Sequence, residues 1–403
     1  MLLVTLAVQV PKLLSLFLRI FVERCDSVNE GFRLKLNIPI GGIKAEIREG
    51  NVVIQSSSPL RALTSSVLSR SYAKFMAIVN HQVPIGYDHL EPEKLFLRTI
   101  NSLGLPKQTL GLMTAANVKN VSVVSRKYEK LTVCAVVTAG VTNPAAAGDN
   151  TPEELLYHTI NIILLIDGNL TQNCMVNTVM IATEAKSAAL RDLDIRSHLS
   201  TELATGTTSD TIAVACTERG QRIMYAGTAT KLGELIGKTV KEAVKTAIHK
   251  QDDIMPDRPL LERLQERGIK FEELVNTALE LYSQHCKGTK QEMIQTLTHC
   301  LKRALTDMNV SALVLAGLRL NEDCRLGLIP GLSMKTHKKD LSYLTIGQTL
   351  GITIANYMAG TKGILALLRF GEEKPSVLGE LEPIASHVIK GLLAGLSSGI
   401  PTI

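Results

Sequence analysis

The chain has 403 residues, of which 45% are hydrophobic and 20% are charged. This composition is typical of a folded globular protein, and the length exceeds what one hydrophobic core usually holds, so two domains are expected. The formal net charge of +6 is spread along the chain, and Trp is absent. Nucleic acid is not expected as a partner, because binding it requires clustered basic residues and, for single strands, aromatic side chains on which bases stack.

The seven cysteines are scattered, odd in number and never arranged as Cys-x-x-Cys. Unpaired thiols in a reducing cytoplasm are therefore favoured over a disulfide framework or a zinc site. Residues 1–22 are apolar, but Pro11, Lys12 and Arg19 interrupt them. A membrane-spanning helix needs about 20 predominantly apolar residues, so a docking helix or a start codon placed too far upstream is favoured over a membrane span.

The first predicted strands lie between residues 32 and 55. Apolar residues alternate with polar ones over 32–40, which is the period of a half-buried strand, and Gly41-Gly42 predicts a turn. Residues 43–48 and 51–55 predict a hairpin. Ser58-Pro59 predicts the start of a helix, because proline is favoured in the first turn.

Two continuous apolar runs, 131–138 and 159–166, predict buried strands, because a strand covered on both faces need not alternate. A loop of small residues, 139–149, follows the first run, and Asp167-Gly168-Asn169-Leu170 ends the second. Loops on a rigid sheet often carry binding and catalytic groups, but the same residue types also form tight turns. The residues alone leave both interpretations open.

Residues 174–193 predict a helix that carries Glu184. This carboxylate is a candidate acid or base if its face meets the strand ends, and a solvated charge if its face meets water. The loop 204–210 has several backbone N–H groups that could bind an anion, although it lacks the Gly-Lys-Thr ending of a nucleotide-binding P-loop. A helix over 231–249 closes the first domain.

The second half of the chain has a helical period throughout, with glycine-rich breaks at 327–331 and 361–363. Four segments are therefore predicted. Residues 1–42 form an apolar extension and a first strand, and 43–250 form an α+β domain with a mixed or antiparallel sheet. Residues 251–259 form a linker with two prolines, and 260–403 form an all-α helical bundle.

Seven segments of the first half closely resemble the adenosylcobinamide amidohydrolase family and keep the order of that family over about residues 43–250. They are 56–61, 111–116, 138–149, 159–162, 167–170, 183–186 and 204–210. The resemblance implies a corrinoid partner and a role in adenosylcobalamin biosynthesis and salvage. The implied reaction is hydrolysis of the amide that joins cobyric acid to aminopropanol in adenosylcobinamide.

Amide hydrolysis needs an activated water or nucleophile, donors for the developing oxyanion and an acid for the leaving amine. The first half has neither a Gly-x-Ser-x-Gly elbow nor a His-Glu-x-x-His zinc helix. Carboxylate-assisted attack by water, or attack by an unidentified Thr or Ser, is therefore expected. Under the resemblance, Asp149 or Asp167 is the candidate base, Glu184 the acid or base, and Asn143 or Asn169 the donor that polarises the amide.

Three further residues are expected to hold the propionamide-rich rim of the corrin under this resemblance. They are Thr205, Thr207 and Asp210. The same loop would equally serve a corrinoid carrier or sensor that performs no chemistry, so that function remains an alternative.

The second half resembles the α-ribazole-5′-phosphate phosphatases related to phosphatidylglycerophosphatase A, through segments 268–270, 274–282, 309–313, 327–331, 369–370, 374–375 and 391–395. The resemblance implies α-ribazole-5′-phosphate as a second partner, with its phosphate held by Arg369 and Lys374. A phosphatidylglycerophosphatase-like activity is the alternative and would require membrane-spanning helices. The charged residues along 260–320 instead favour a bundle of water-exposed helices.

This half departs from its relatives where they carry acidic residues. Gly347-Gln348, Gly371 and Ser386-His387 stand at positions where the related phosphatases have carboxylates. Because Mg²⁺ takes oxygen ligands, the inherited metal site is expected to be lost. Binding of Mg²⁺ remains possible only if other acidic residues, for example Glu280 and Asp307, supply its oxygen ligands.

Overall fold

The computed structural model describes residues 33–87, 90–151, 158–283, 289–331, 345–371 and 374–399. These residues fall into two compact units, the first ending at Pro256 and the second beginning at Asp257. The apolar segment 1–22 lies outside the described residues. In the ranges that are described, no helix is both long and apolar enough to cross a membrane.

The first unit is built on a mixed sheet of nine strands, counted over the described residues. These strands are β1 (Arg33–Leu36), β2 (Ile43–Arg48), β3 (Asn51–Thr64), β4 (Tyr72–Gln82), β5 (Thr109–Thr114), β6 (Ser122–Tyr128), β7 (Leu131–Ala139), β9 (Ile160–Asp167) and β12 (Thr211–Cys216). Four two-residue strands pair outside it: β8 (Pro144–Ala145), β10 (Asn169–Leu170), β11 (Gly206–Thr207) and β13 (Arg222–Ile223).

The strand order is β1-β2-β3-β12-β9-β7-β6, with β4 also paired to β3 and β5 to β4. The β9–β12 and β4–β5 pairs are parallel, whereas β9 is antiparallel to β7. The prediction of a mixed sheet is confirmed. The central strands β7, β9 and β12 are the ones whose ends carry the predicted site residues.

The predicted helix at Ser58-Pro59 is wrong, because β3 continues through these residues to Thr64. The register of β3 against β4 shifts between Gln55 and Leu60. Proline lacks an N–H for the ladder and is tolerated in sheets at such irregularities. The first predicted strand is also shorter than expected, since β1 ends at Leu36.

Three helices belong to the first unit as described: α1 (Pro92–Ser102), α2 (Gln172–Asp192) and α3 (Lys231–Asp252). Alternate residues of β7 and β9, such as Val133 and Ile162, pack with apolar residues of α2 and α3. The intervening residues, such as Cys134 and Ile163, pack against the apolar residues of β2 and β3. Both faces of these strands are buried, which explains their uninterrupted apolar sequence.

Helix α3 extends to Asp252, so the linker predicted at 251–259 starts too early. The Asp252 carboxylate accepts a hydrogen bond from the Val141 N–H at 2.7 Å. This contact keeps the last helical turn against the sheet and places Asp252 in the first unit.

The described residues of the second unit are helical, as predicted. The helices are α4 (Leu260–Gln265), α5 (Phe271–Ser283), α6 (Lys290–Ala304), α7 (Met308–Arg325), α8 (Thr345–Ala359), α9 (Thr361–Phe370), α10 (Val377–Glu380) and α11 (Pro383–Gly395). The break predicted at 361–363 is wrong, because these residues form the first turn of α9. The chain breaks at Gly360 instead, whose φ of 57° suits glycine.

Candidate functional site

Three loops meet at one end of the central strands. Ala139 at the end of β7 pairs with Ile160 at the start of β9, and Asn161 pairs with Thr211 at the start of β12. The loop after β7 and the loop before β12 are also joined by the β8–β11 pair. Three of the seven segments that carry the resemblance in the first half lie at this end, namely 138–149, 159–162 and 204–210.

A hydroxyl and an imidazole face each other at this end. The Thr142 hydroxyl lies 2.8 Å from Nδ1 of His158. Thr142 is exposed, whereas His158 is only 6% exposed. An accessible hydroxyl in hydrogen-bond reach of a fixed imidazole is the geometry of an oxygen nucleophile and its base.

Gly140 makes room for the imidazole. A Cβ at this position would lie 2.8 Å from Nδ1 of His158, closer than real Cβ atoms come. The peptide carbonyl of His158 accepts a hydrogen bond from Nδ2 of Asn143 at 2.7 Å, and Nδ2 also donates to the Thr208 hydroxyl at 2.9 Å. Asn143 therefore ties the Thr142 loop, His158 and the 204–210 loop together.

The carboxylate of Asp252 lies behind this pair. Burial raises the pKa of Asp252, although the Val141 N–H and the charge of His158 act in the opposite direction. Asp252 is half-buried. A carboxylate near an imidazole favours the protonated imidazole that forms during acid–base catalysis.

Asp252→Asn is expected to raise stability at neutral pH while lowering turnover. The pKa of Asp252 is raised in the folded state. The stability of the wild type is therefore unaffected by Asp252 below the unfolded-state pKa, where the group is protonated in both states. It falls as the pH rises through the folded-state pKa, because the folded protein must then hold the charged form. The amide can still accept from Val141 but carries no charge. Thermal unfolding at pH 4 and pH 7 should therefore show that the midpoint of the variant, relative to that of the wild type, is higher at pH 7 than at pH 4. Turnover should be reduced about tenfold or more. A midpoint difference independent of pH would contradict the assignment.

A buried ion pair anchors the loop before β12. Lys186 on α2 forms a salt bridge with Asp210, and the two side chains are 9% and 11% exposed. Asp210 also accepts hydrogen bonds from Ile160 N at 3.0 Å, from Thr207 N at 3.1 Å and from the Thr207 hydroxyl. With four donors Asp210 is saturated, so it holds the loop in place and is poorly suited to act as a base. Gly206 leaves space for the pair, since a Cβ there would lie 2.3 Å from Oδ2 of Asp210.

Asp149 stabilises the loop after β7 through hydrogen bonds. Its Oδ2 accepts from Ala146 N and from the Ser197 hydroxyl, each at 2.6 Å. Partial burial disfavours the charged form, but these hydrogen bonds outweigh it and lower the pKa of Asp149. Thr205 belongs to the same loop structure, because its hydroxyl accepts from Ala147 N at 2.9 Å.

Asp167 and Asn169 lie at the opposite end of β9. A strand rises about 3.3 Å per residue, so Asp167 is roughly 20 Å from Ile160 and from the Thr142 loop. Asp167 accepts from the Thr217 hydroxyl at 2.8 Å, and Asn169 Oδ1 lies 3.3 Å from Nη2 of Arg61. The structure therefore does not bring Asp149 and Asp167 together at one reacting atom.

Glu184 lies on the exposed face of α2, whereas its neighbour Lys186 is buried. The face of α2 that meets the site is therefore the face that carries Lys186.

Sequence reasoning missed Lys186, Thr142, His158 and Asp252. Thr142 and Lys186 lie inside segments that carry the resemblance, but the contacts that define their roles are not local. Thr142 and His158 are 16 residues apart, Lys186 and Asp210 are 24 apart, and Asp252 and Val141 are 111 apart.

The cysteines of the described residues are free thiols. Burial raises the pKa of Cys134 to about 12 and that of Cys174 to about 11. Because the thiolate is the nucleophilic form, these two cysteines are unsuited to attack a carbonyl.

In the second unit, Arg369 borders a cavity of about 60 Å³ together with Lys362 and Tyr282. A larger cavity, of about 890 Å³, is bordered by other residues, among them His299 and Arg303. Lys374 is exposed and precedes α10. The structure does not show Arg369 and Lys374 forming one clamp.

Helices α8 and α11 pack backbone to backbone at the positions where the resemblance to phosphatases implies acids. A Cβ at Gly347 would lie 3.4 Å from Nδ1 of His387, and one at Gly351 would lie 2.5 Å from the His387 carbonyl oxygen. Asp307 caps α7 and Glu280 accepts from Ser376, so both are engaged locally. In the part of the chain that the structure describes, no three His, Cys, Asp or Glu side chains are grouped for a metal. These residues do not fit the Mg²⁺ site that the resemblance implies.

A hydroxyl–imidazole pair with a half-buried carboxylate nearby has the groups that amide or ester hydrolysis requires. The family model for adenosylcobinamide amidohydrolase matches residues 40–256, more than half of the chain. The chain belongs to this family, and the match includes all of the site residues of the first unit.

Curated relatives agree with the family match. An uncharacterized protein of Methanocaldococcus jannaschii is 29% identical over 249 residues, which are 56% of this chain and 95% of that protein. The adenosylcobinamide amidohydrolase of Methanosarcina mazei is 30% identical over 197 residues, 46% of this chain and 88% of that protein. The adenosylcobinamide amidohydrolase of Halobacterium salinarum is 32% identical over 145 residues, 33% of this chain and 59% of that protein.

Proposed function

We propose that this protein hydrolyses the amide between cobyric acid and aminopropanol in adenosylcobinamide, at the end of the sheet where Thr142 and His158 meet. Family membership supports the reaction. The observation that carries the location is the 2.8 Å contact between the Thr142 hydroxyl and Nδ1 of His158. A nucleophile must lie within hydrogen-bond reach of its base, and this pair meets that condition.

In the first half of the proposed reaction, Oγ1 of Thr142 attacks the amide carbonyl carbon while its proton passes to Nδ1 of His158. The C–N bond then breaks as the protonated imidazole gives that proton to the departing nitrogen. Aminopropanol leaves as the neutral amine, and the acyl group remains on Thr142 as an ester. The negative charge of Asp252 favours the imidazolium between these steps.

In the second half, a water molecule attacks the ester carbonyl and gives its proton to Nδ1 of His158. The bond from the carbonyl carbon to Oγ1 of Thr142 breaks, and the imidazole returns the proton to that oxygen. The products are adenosylcobyric acid and the regenerated hydroxyl. The hydrogen-bonded carboxylates of Asp149 and Asp210 hold the two loops in place during both halves.

Product analysis with adenosylcobinamide tests this proposal. The wild-type protein is expected to form adenosylcobyric acid and aminopropanol in equal amounts. Thr142→Ala should lower turnover by about 10³-fold or more, because members of a nucleophile–base pair act as a unit. Thr142→Ser is the matched control, since it keeps the hydroxyl and should keep most of the activity.

Two outcomes would contradict the proposal in different ways. Tight binding of adenosylcobinamide without any product would favour the carrier or sensor function. Turnover by Thr142→Ala close to that of the wild type would remove Thr142 as nucleophile and leave the Thr207 hydroxyl, hydrogen-bonded to Asp210, or a water molecule.

For the second unit, we expect the full-length protein to hydrolyse α-ribazole-5′-phosphate at most weakly. Phosphoryl transfer depends on electrostatic stabilisation by a metal ion and cations, and Gly347 and His387 stand where the related phosphatases have acids. Phosphate release with and without EDTA measures this. Slow release that the chelator does not change is expected, whereas fast release abolished by EDTA would contradict it.

A further inference from the structure

The side-chain oxygen of Asn143 is a buried acceptor without a partner. Asn143 is 1% exposed, and among the described residues its Oδ1 has no hydrogen-bond partner. The orientation of the amide is fixed by its other end, because the His158 carbonyl that it contacts can only accept a hydrogen bond. The NH₂ group must therefore face His158, and Oδ1 must face away from it.

Such an atom is unusual and costly. Buried polar side-chain atoms nearly always have a partner, and an unsatisfied one costs about 1–3 kcal/mol. Asn143 directly follows the exposed Thr142 and donates to the carbonyl of His158, so its side chain lies beside the Thr142–His158 pair. A site that leaves an acceptor unpaired discriminates in favour of a ligand with a matching donor.

We infer that Oδ1 of Asn143 accepts a hydrogen bond from the N–H of the scissile amide, and so makes the site selective for amides over esters. This inference rests on the proposed function. Sequence reasoning expected Asn143 to donate to the amide carbonyl, but both contacts of Nδ2, with the His158 carbonyl and the Thr208 hydroxyl, are inside the protein.

A hydrogen bond to Oδ1 of Asn143 would orient the leaving nitrogen. In the tetrahedral intermediate the nitrogen is bonded to the former carbonyl carbon, to the first carbon of aminopropanol and to one hydrogen, and it has one lone pair. Holding the hydrogen at Asn143 directs the lone pair to another side, where His158 can protonate it. An ester has no such hydrogen, so its hydrolysis would gain nothing from Asn143.

The test compares two substrates, adenosylcobinamide and the analogue in which the amide N–H is replaced by an ester oxygen. The ratio of kcat/KM for the amide to that for the ester is measured for the wild type and for Asn143→Ala. The ratio is expected to fall about tenfold in the variant, the size of one hydrogen bond. Thr208→Val is the matched control, because it removes a partner of Nδ2 but leaves Oδ1, and its ratio should equal that of the wild type.

The outcomes separate this inference from the proposed function. A ratio that does not change in Asn143→Ala, or that changes equally in Thr208→Val, overturns the role of Asn143. Failure of the wild type to hydrolyse either substrate overturns the proposed function itself. If the alanine variant does not fold, Asn143→Ser is measured in its place, with the same expected fall in the ratio.

Discussion

Replacing His158 with alanine is expected to lower the turnover of adenosylcobinamide by about 10²–10⁴-fold, the usual contribution of a positioned general base. The imidazole is the proton acceptor for Thr142 and the proton donor for the leaving amine, so its removal affects both bond-making and bond-breaking. The measurement is the steady-state rate of product formation for adenosylcobinamide at saturating concentration.

Two further variants separate loss of the base from loss of the fold. Gly140→Ala keeps the imidazole but places a Cβ 2.8 Å from its Nδ1, so it should also lower turnover by displacing the ring. Glu184→Gln neutralises an exposed carboxylate on α2 and should change turnover by less than about twofold, as surface substitutions usually do. Near-normal turnover in His158→Ala would contradict the mechanism and remove His158 as the base.

Lys186→Met is expected to destabilise the first unit by about 3 kcal/mol or more, because it leaves the buried Asp210 without its cation. The two side chains are 9% and 11% exposed, so solvent compensates little for the lost partner. The chain contains no Trp, and hydrogen–deuterium exchange in α2 and β12 is therefore a suitable measure of the loss.

The matched control is the double variant Lys186→Met with Asp210→Asn. Replacing both charges removes the unpaired carboxylate, so the double variant should be more stable than Lys186→Met alone. Equal loss in the single and double variants would show that Lys186 contributes through packing of its aliphatic stem rather than through the ion pair.

The sequence by itself determined the central strands and the helices that cover them. The apolar runs 131–138 and 159–166 became β7 and β9, because strands buried on both faces need apolar residues at every position. The helical period of the second half likewise produced helices. These features depend on neighbours along the chain, and such local patterns are visible without the fold.

Local patterns failed where a distant contact set the conformation. Ser58-Pro59 has the sequence of a helix start, but pairing of β3 with β4 holds it in a strand. Asp252 lies in the predicted linker, yet its contact with Val141, 111 residues away, keeps it in α3.

The site shows the same division between what is local and what is not. Segments 138–149 and 167–170 belong to one family resemblance and flank one strand, so their acids were natural partners in sequence. The length of β9 separates them by roughly 20 Å, because each residue of a strand adds about 3.3 Å. His158, Asp252 and Lys186 are remote from one another in sequence, and of the three only Lys186 lies in a segment that carries the resemblance. Pairing of β9 with β7 brings His158 to Thr142, the end of α3 brings Asp252 to Val141, and α2 brings Lys186 to Asp210. These contacts form only in the tertiary structure and cannot be recognised from the order of residues.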